Sequence, residues 1–189
     1  MLGHDHALSG ALAFAAVAPL LPVSGIQLAV AATLTAGAGI LPDLDEPGST
    51  IARTFGFLTG TFAWIVNRIS GGHRKGTHSL LGIALAVLVL WQGWDLVEVT
   101  AWHVPVLAVC VALGMVAHVA GDMLTHDGCP LLYPLSRYEF GLLPEPVRIT
   151  TNKLAERWVI SPLLLIGLAY FIYRDAAPAL TTAASGGWP

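Results

Sequence analysis

Residues 104–124 read VPVLAVCVALGMVAHVAGDML. This run contains no Asp, Glu, Lys or Arg before Asp122, and about 20 apolar residues suffice to cross the hydrocarbon core of a bilayer. Its end carries a polar pair, His118 and Asp122. Because the two lie four residues apart, a helix places both side chains on one face. The stretch therefore predicts a membrane-spanning helix that ends in a pair able to chelate one metal ion.

The rest of the chain has the same apolar character. It has 189 residues, of which 55% are hydrophobic and only 11% charged, with a mean hydropathy of +0.69, whereas about a quarter of a soluble domain is charged. Four further apolar stretches cover 7–23, 26–41, 80–94 and 158–173, none with the alternation of barrel strands. Since lipid-embedded backbone must satisfy its own hydrogen bonds, we expect one all-α domain over 1–189, an integral membrane bundle of about five transmembrane helices.

Glycines in or beside these stretches predict close approach between helices. They are Gly10, Gly25, Gly37, Gly39, Gly82, Gly114 and Gly121. Another segment, FGFLTGTFAWIVNRI at 55–69, is only moderately apolar and carries Asn67 and Arg68 at its end. Its length favours an interfacial or re-entrant helix over a sixth span.

Charge distribution predicts the topology. With five spans, eight of the nine Lys and Arg residues lie on the side of the N-terminus and of the loops 42–79 and 125–157, and only Arg174 lies opposite. Basic residues collect in cytoplasmic loops, so this first side should face the cytoplasm. No Lys or Arg precedes the first apolar stretch, so we expect no cleaved secretory signal. A net charge of −3 without a basic run argues against a nucleic-acid partner.

The candidate chemistry lies on that cytoplasmic side, at the ends of four predicted helices. Its residues are His6, Asp43, Asp45, His73, His78, His118 and Asp122. Histidine and aspartate are common ligands of Zn²⁺, Mn²⁺ and iron, and a catalytic site also keeps one coordination position open for water. A single histidine is usually a surface or packing residue and a single Asp at a helix end is usually a cap, but the joint pattern favours a metal site because ionisable groups at membrane depth mark functional sites.

Two short segments supply most of these residues. Leu-Pro-Asp-Leu-Asp at 41–45 would aim both carboxylates at one metal if the segment is extended. His-Arg-Lys-Gly-Thr-His-Ser at 73–79 adds ligands, cations and hydroxyls just before a helix N-terminus, which favours phosphate. Thr77 or Ser79 could instead serve only as that helix's cap.

Other polar residues receive different interpretations. His103 is typical of an interfacial anchor, and His126 and Asp127 of a turn before Gly128, whereas His4 and Asp5 could join the site. Cys110 and Cys129 form neither a metal-type spacing nor a disulfide framework. The proline-rich and aromatic loop 129–152 is either a cover for the site or a membrane-surface loop.

Together these motifs resemble the LexA-regulated YdjM-like family of bacterial and archaeal inner-membrane metal-dependent hydrolases. The likeness runs through most of the chain: His6-x-x-x-Gly10, the segments 41–45 and 73–79, His118-x-x-x-Asp122, Pro-Leu-Leu-Tyr-Pro at 130–134, and the basic-aromatic stretch 137–140. The motif logic is also distantly similar to zinc-dependent phospholipases C. The chain departs from the family pattern at His126-Asp127 and at Thr151-Asn152, while Glu156 falls near a late acidic position of the family.

The resemblance implies a hydrolase with presumed His and Asp metal ligands in a cytoplasmic (inner) membrane. We assign His6, Asp43, His78, His118 and Asp122 as ligands of one or two divalent ions, zinc first, with manganese or iron as alternatives. The other assigned residues are Asp45 and His73 as second-metal ligands or base, Arg74 and Lys75 as holders of an anionic head group, and Glu156 as a ligand, a base or only a helix-start residue. A lipid or lipid-linked phosphoester or ester is the expected substrate; a metal transporter and a non-enzymatic scaffold are the alternatives.

Overall fold

A computed structural model describes residues 1–94, 104–151, 154 and 156–184. Within them lie seven α-helices and no named strand: α1 Gly3–Val17, α2 Ile26–Ala38, α3 Thr50–Arg53, α4 Phe57–Ser70, α5 Leu80–Trp94, α6 Val104–Asp122 and α7 Ser161–Ala184. Short 3-10 turns cover Ala18–Leu20, Pro42–Asp45, Gly76–His78 and Glu145–Val147, and a π turn, Glu156–Ile160, leads into α7. The prediction of an all-α protein is confirmed.

Three described segments are long and apolar enough to cross a membrane: Ile26–Asp45, Val104–Asp122 and Glu156–Asp175. The helices α1 and α5 have 15 residues each, or roughly 22 Å at 1.5 Å per residue, which is short of a hydrocarbon core of roughly 30 Å. The bundle therefore contains spanning helices together with shorter apolar ones. The total of five spans stays a prediction.

The helix α4 covers most of the segment 55–69 and has 14 residues. Phe57, Leu58 and Ile69 on this helix are 84%, 74% and 81% exposed, and α4 is not among the helices of spanning length within the described residues. It packs beside the 3-10 turn Pro42–Asp45. These features agree with a helix lying at the interface, and its orientation to the membrane stays a prediction.

Small residues hold the centre of the bundle together. The helix α1 packs against α2, α6 and α7, and α2 packs against α6. A Cβ added at Gly10 or Gly114 would lie 2.6 or 2.3 Å from the carbonyl oxygen of Thr35, and one at Gly39 would lie 2.5 Å from that of His6. Only glycine permits backbones this close. Gly25 and Gly37, with nothing within 4 Å of such a Cβ, have no packing role of this kind.

The loop 123–151 folds back over the ends of α5 and α6. Isolated bridges join Thr125 to Ile149 and Cys129 to Phe140, and the amide of Leu80 donates to the carbonyl of Leu131 at 3.0 Å. The prolines explain why only the short turn Glu145–Val147 is helical here. The interpretation of His103 as an interfacial anchor, and the departure from the family pattern at Asn152, concern positions outside the described residues.

Candidate metal centre

Four segments meet at one end of the bundle and bring the sequence-predicted ligands together. The first turns of α1 supply His6, the turn after α2 supplies Asp43, the turn before α5 supplies His78, and the last turns of α6 supply His118 and Asp122. Their potential ligand atoms form groups within 4.8 Å: His6, Asp43 and His118; Asp43, His73 and His78; and His78, His118 and Asp122. All five first-choice ligands of the sequence analysis therefore belong to one cluster.

The centre of this cluster consists of two histidines and two aspartates. His78 Nε2 and His118 Nε2 are 3.1 Å apart. Asp43 Oδ1 lies 3.8 and 3.6 Å from these two nitrogens, and Asp122 Oδ2 lies 3.6 and 3.7 Å from them. We refer to these four side chains as the central quartet. His78, His118 and Asp122 are 0–1% exposed, while Asp43 is 19% exposed and gives the quartet one side open to solvent.

The hydrogen bonds of His118 determine which ring nitrogen can bind a metal. Its Nδ1 lies 2.7 Å from the carbonyl oxygen of Gly39, and since a carbonyl only accepts, Nδ1 must carry the hydrogen. In the neutral ring, Nε2 then holds a lone pair directed at the quartet. Backbone carbonyls commonly orient metal-binding histidines in this way.

A chain of two hydrogen bonds fixes His78 similarly. The hydroxyl of Thr77 contacts Asp45 Oδ2, and the same hydroxyl oxygen lies 3.0 Å from His78 Nδ1. Because a carboxylate only accepts, the single hydroxyl hydrogen of Thr77 goes to Asp45, so Thr77 accepts from His78 Nδ1–H. In its neutral form, the ring of His78 therefore also directs an Nε2 lone pair at the quartet.

These assignments make the quartet a good fit for a cation. Two nitrogen lone pairs and two carboxylate oxygens converge, and Asp122 Oδ2 is buried without a hydrogen-bond partner. Such an arrangement is repulsive by itself. A tetrahedral Zn²⁺ with bonds of roughly 2.0–2.1 Å has ligand–ligand separations of about 3.3–3.4 Å, and the five separations given above span 3.1–3.8 Å. The two histidines with either aspartate could therefore hold one ion and leave its fourth position open to water. Donor type and spacing both suit a divalent metal.

His6 lies beside the quartet. Its ring stacks on that of His118 with centroids 3.6 Å apart, and its Nε2 is 3.3 Å from Asp122 Oδ1. The same oxygen also receives the Met1 amino group at 2.7 Å and Arg74 Nη2 at 3.3 Å. Cationic and N–H groups thus occupy Oδ1 of Asp122, while Oδ2 faces the two histidines of the quartet.

Asp45 has different partners from Asp43, although only one residue separates them. Asp45 is fully buried and accepts from His73 Nδ1 at 2.7 Å, from the Arg74 amide at 3.1 Å and from Thr77. Both carboxylates would face one metal only if 41–45 were extended, and this condition is not met, since Pro42–Asp45 is a 3-10 turn. With about three residues per turn, side chains two residues apart diverge, so the two carboxylates reach separate partners.

The bond to Asp45 also changes the acidity of His73, which lies in the loop before α5 and is 35% exposed. Burial by itself would lower the pKa of His73, but the hydrogen bond to Asp45 and the charges of Asp45 and Asp43 outweigh it and raise the pKa above its ordinary value. His73 is thus a partly exposed imidazole that retains a proton more readily than a free one.

Arg74 spans the distance from the buried site to the surface. It has a φ of +57°, a backbone conformation uncommon for a residue with a side chain. Its Nη1 lies 2.7 Å from Asp127 Oδ2, and its Nη2 lies 3.3 Å from Asp122. Asp127, interpreted from sequence as a turn residue only, is therefore an ion-pair partner of Arg74. Lys75 lies exposed on the same turn.

Glu156 lies in the π turn before α7 and is fully buried. Its Oε1 accepts from the Leu2 amide at 2.5 Å, so it supports the start of α1, the helix that carries His6. It belongs to none of the ligand groups among the described residues. Asp5 is also fully buried, but it too lies outside those groups, so the expectation that His4 or Asp5 joins the ligand cluster gains no geometric support.

The cysteines are unsuited to act as ligands here. Both are free and buried. Burial, followed by the negative charge of Asp122, raises the pKa of the Cys129 thiol to about 12, whereas a metal binds the thiolate. The absence of Cys110 and Cys129 from the ligand groups is consistent with that protonation state.

Sequence reasoning missed two supporting groups. One is the Gly39 carbonyl, which no side-chain pattern reveals. The other is Thr77, treated only as a possible cap; in the structure Ser79 caps α5 by accepting from the Gly82 amide at 3.1 Å, which leaves Thr77 for His78. A hydroxyl directly before a candidate histidine ligand was the available signal.

Comparison with known proteins identifies the family. The chain is 39% identical over 106 residues to the inner membrane protein YdjM of Escherichia coli strain K12 and to that of Shigella flexneri. The aligned part is 54% of this chain and 48% of each relative, so the chain spans about half the length of the curated relatives it matches. No solved structure matches it. A family model described as YdjM inner membrane protein matches residues 1–179, and this chain therefore belongs to the YdjM inner membrane protein family.

Proposed function

We propose that this chain is a membrane-embedded, metal-dependent hydrolase that cleaves a phosphoester or ester of a lipid or lipid-linked substrate at the cytoplasmic membrane face. The observation that carries the proposal is the central quartet, in which His78 Nε2 and His118 Nε2 converge at 3.1 Å with Asp43 and Asp122 around them. A purely structural polar cluster would pair these lone pairs with donors.

The donor set favours zinc, with manganese or iron as alternatives. Nitrogen ligands suit all three metals and carboxylates tolerate each of them. His6 and His73 lie in two further ligand groups that share Asp43 with the quartet, which supports one or two ions. A divalent ion held there would supply a water of pKa near 7 and polarise the ester or phosphoryl oxygen.

The surrounding residues have separate roles in this proposal. Arg74 and Lys75 bind the anionic oxygens of the substrate, since Arg74 has a guanidinium beside Asp122 and Lys75 is exposed on the same turn. His73, bonded to Asp45 at 2.7 Å, is placed to hold or move a proton during the reaction. Glu156 keeps the start of α1 in position through Leu2.

The location of the cluster favours a lipid substrate. Its residues lie at the ends of apolar helices, and eight of nine basic residues lie on the same predicted side, which the positive-inside rule assigns to the cytoplasm. An ester at the level of the head groups would reach the open side of the quartet at Asp43 without leaving the membrane.

Metal content tests the core of the proposal. The detergent-purified protein should contain at least one Zn²⁺, Mn²⁺ or iron per chain by elemental mass spectrometry, and His118→Ala should lose it. His126→Ala is the matched control, because that histidine is exposed and its hydrogen bonds to other described residues involve only its backbone. Wild-type protein that stays metal-free after incubation with all three ions would overturn the hydrolase proposal and favour the scaffold.

Hydrolysis itself needs a second assay. Metal-loaded protein in mixed micelles should release phosphate or fatty acid from a panel of lipid phosphoesters and esters, and His73→Ala should retain the ion bound by the quartet while losing turnover. Turnover of soluble esters alone would refute the lipid part of the proposal. Metal flux into liposomes without any hydrolysis would favour the transporter.

A further inference from the structure

A groove opens on the lipid-facing side of the bundle, far from the metal centre. It has a volume of about 540 Å³ and lies between α1, α2 and α7, within the roughly 300–1,000 Å³ typical of ligand sites. Its walls include Ala11, Ala15, Ala29 and Leu168. Alanines where larger residues would fill the space are the reason that the groove exists.

The groove belongs to the end of the bundle opposite the quartet. It follows the later part of α1 as far as Ala18, the start of α2 from Gly25, and the later part of α7 as far as Asp175. The quartet is attached instead to the end of α2 and the end of α6. Only 6% of the apolar stretch within Glu156–Asp175 is buried inside the protein, so most of this helix is exposed on the outside of the bundle.

A charged pair lies at the mouth of the groove. Arg174 Nε donates to Asp175 Oδ1 at 2.6 Å, and the two side chains are 36% and 42% exposed. The guanidinium also lies 4.7 Å from the ring centroid of Phe171 and 3.5 Å from the carbonyl oxygen of Ala15. This pair presents a positive and a negative group side by side at the end of the groove that Asp175 lines.

We propose that the groove is a binding site for one zwitterionic phospholipid, with an acyl chain along the alanines and the head group on Arg174 and Asp175. An apolar groove open to the bilayer excludes water and accepts hydrocarbon. The head-group phosphate is complementary to the guanidinium, which has five N–H groups of which Asp175 uses one, and the head-group ammonium is complementary to Asp175. An anionic lipid fits less well, because Asp175 would repel it.

Native mass spectrometry tests this proposal on the full chain, released from nanodiscs made of equal parts phosphatidylethanolamine and phosphatidylglycerol. Wild-type protein should retain one phosphatidylethanolamine per chain. Ala29→Phe should fill the groove and lower the fraction of chains that retain this lipid at least about tenfold. Val30→Phe is the control and should retain the lipid, because Val30 is a neighbouring residue that is 39% exposed and lies outside the groove. If Ala29→Phe does not fold, as judged by its melting profile, Ala29→Leu replaces it.

Charge variants test the head group. Arg174→Gln and Asp175→Asn should each weaken phosphatidylethanolamine retention about tenfold, as expected for loss of one charge-assisted hydrogen bond. If Ala29→Phe and Ala29→Leu both retain phosphatidylethanolamine as wild type does, the proposal is overturned. Equal retention of phosphatidylglycerol would refute the head-group assignment, and a wild-type dimer that Ala29→Phe converts to a lipid-free monomer would show that a second copy covers the groove.

Discussion

The two ends of the bundle are formed by the same helices, but one end buries polar side chains and the other buries apolar ones. At its first turns α1 buries His6, which stacks on His118, and near its other end it buries Phe14 in an apolar cluster with Ala31, Val106 and Cys110. The first end contains buried polar atoms in excess of their partners, and the second contains an unfilled apolar space. A cation would provide partners for the buried polar atoms at the first end, and an apolar ligand would fill the space at the second end.

This difference indicates which part of such a fold can hold a metal site and which part can hold an apolar ligand. Backbones at the middle of α1, α2 and α6 approach so closely at Gly10 and Gly114 that the helices act as a rigid frame. The turns at one end of that frame can therefore hold ligands at fixed separations, as Asp43 and His78 show. At the other end, alanines on the same frame leave space open to the bilayer.

Metal removal should produce the largest contrast between the two ends. A ligand that binds only the folded state at 1,000 times its Kd stabilises that state by about 4 kcal/mol. Treatment with a chelator should therefore lower the melting temperature and raise hydrogen exchange in 41–45 and 73–79, with little change in 25–32. Hydrogen–deuterium exchange with and without metal measures this. A uniform rise along the chain would contradict the separation of the two ends.

Asp45→Asn should give the next largest effect. The substitution replaces a buried carboxylate that accepts hydrogen bonds from His73, the Arg74 amide and Thr77. Loss of such a supporting carboxylate weakens metal binding by roughly 10- to 100-fold. Competition with a chromophoric chelator measures the affinity. Asp175→Asn, at the opposite end, is the matched control and should bind metal as wild type does. Equal affinities for wild type and Asp45→Asn would show that Asp45 does not support the ligands.

Thr77→Val should act more mildly through His78. Without the hydroxyl, Nδ1 of His78 loses its hydrogen-bond partner at 3.0 Å, so the ring can rotate or change tautomer, and we expect about a tenfold loss of metal affinity. Thr77→Ser restores the hydroxyl and should restore the affinity. With Co²⁺ in the site, the visible absorption spectrum should change in Thr77→Val and return in Thr77→Ser; a normal spectrum in both would exclude an orienting role.

The polar side chains that form the metal centre could be identified from the sequence, but several of their contacts could not. Periodicity and spacing correctly placed His118 and Asp122 on one face, because four-residue spacing in a helix fixes the geometry. They did not determine the directions of Asp43 and Asp45, because the backbone of a short turn depends on its packing. The Gly39 carbonyl, the ion pair of Arg74 with Asp127 and the alanine-lined groove arise only when segments distant in sequence come together.

Asp127→Asn should have the smallest effect, and it tests how far the metal centre extends towards solvent. Asp127 is 68% exposed, and exposed ion pairs contribute about 0–1 kcal/mol, so the folding equilibrium constant and the metal affinity should each change less than about fivefold. Within the part of the chain that the structure describes, the guanidinium of Arg74 would then have only Asp122 as a charged partner, at 3.3 Å. Raising the salt concentration should weaken the wild-type pair but leave Asp127→Asn unaffected, which urea denaturation in low and high salt measures. A large loss of metal affinity in Asp127→Asn would instead make the exposed carboxylate part of the centre, since the buried quartet by itself would then be insufficient to hold the ion.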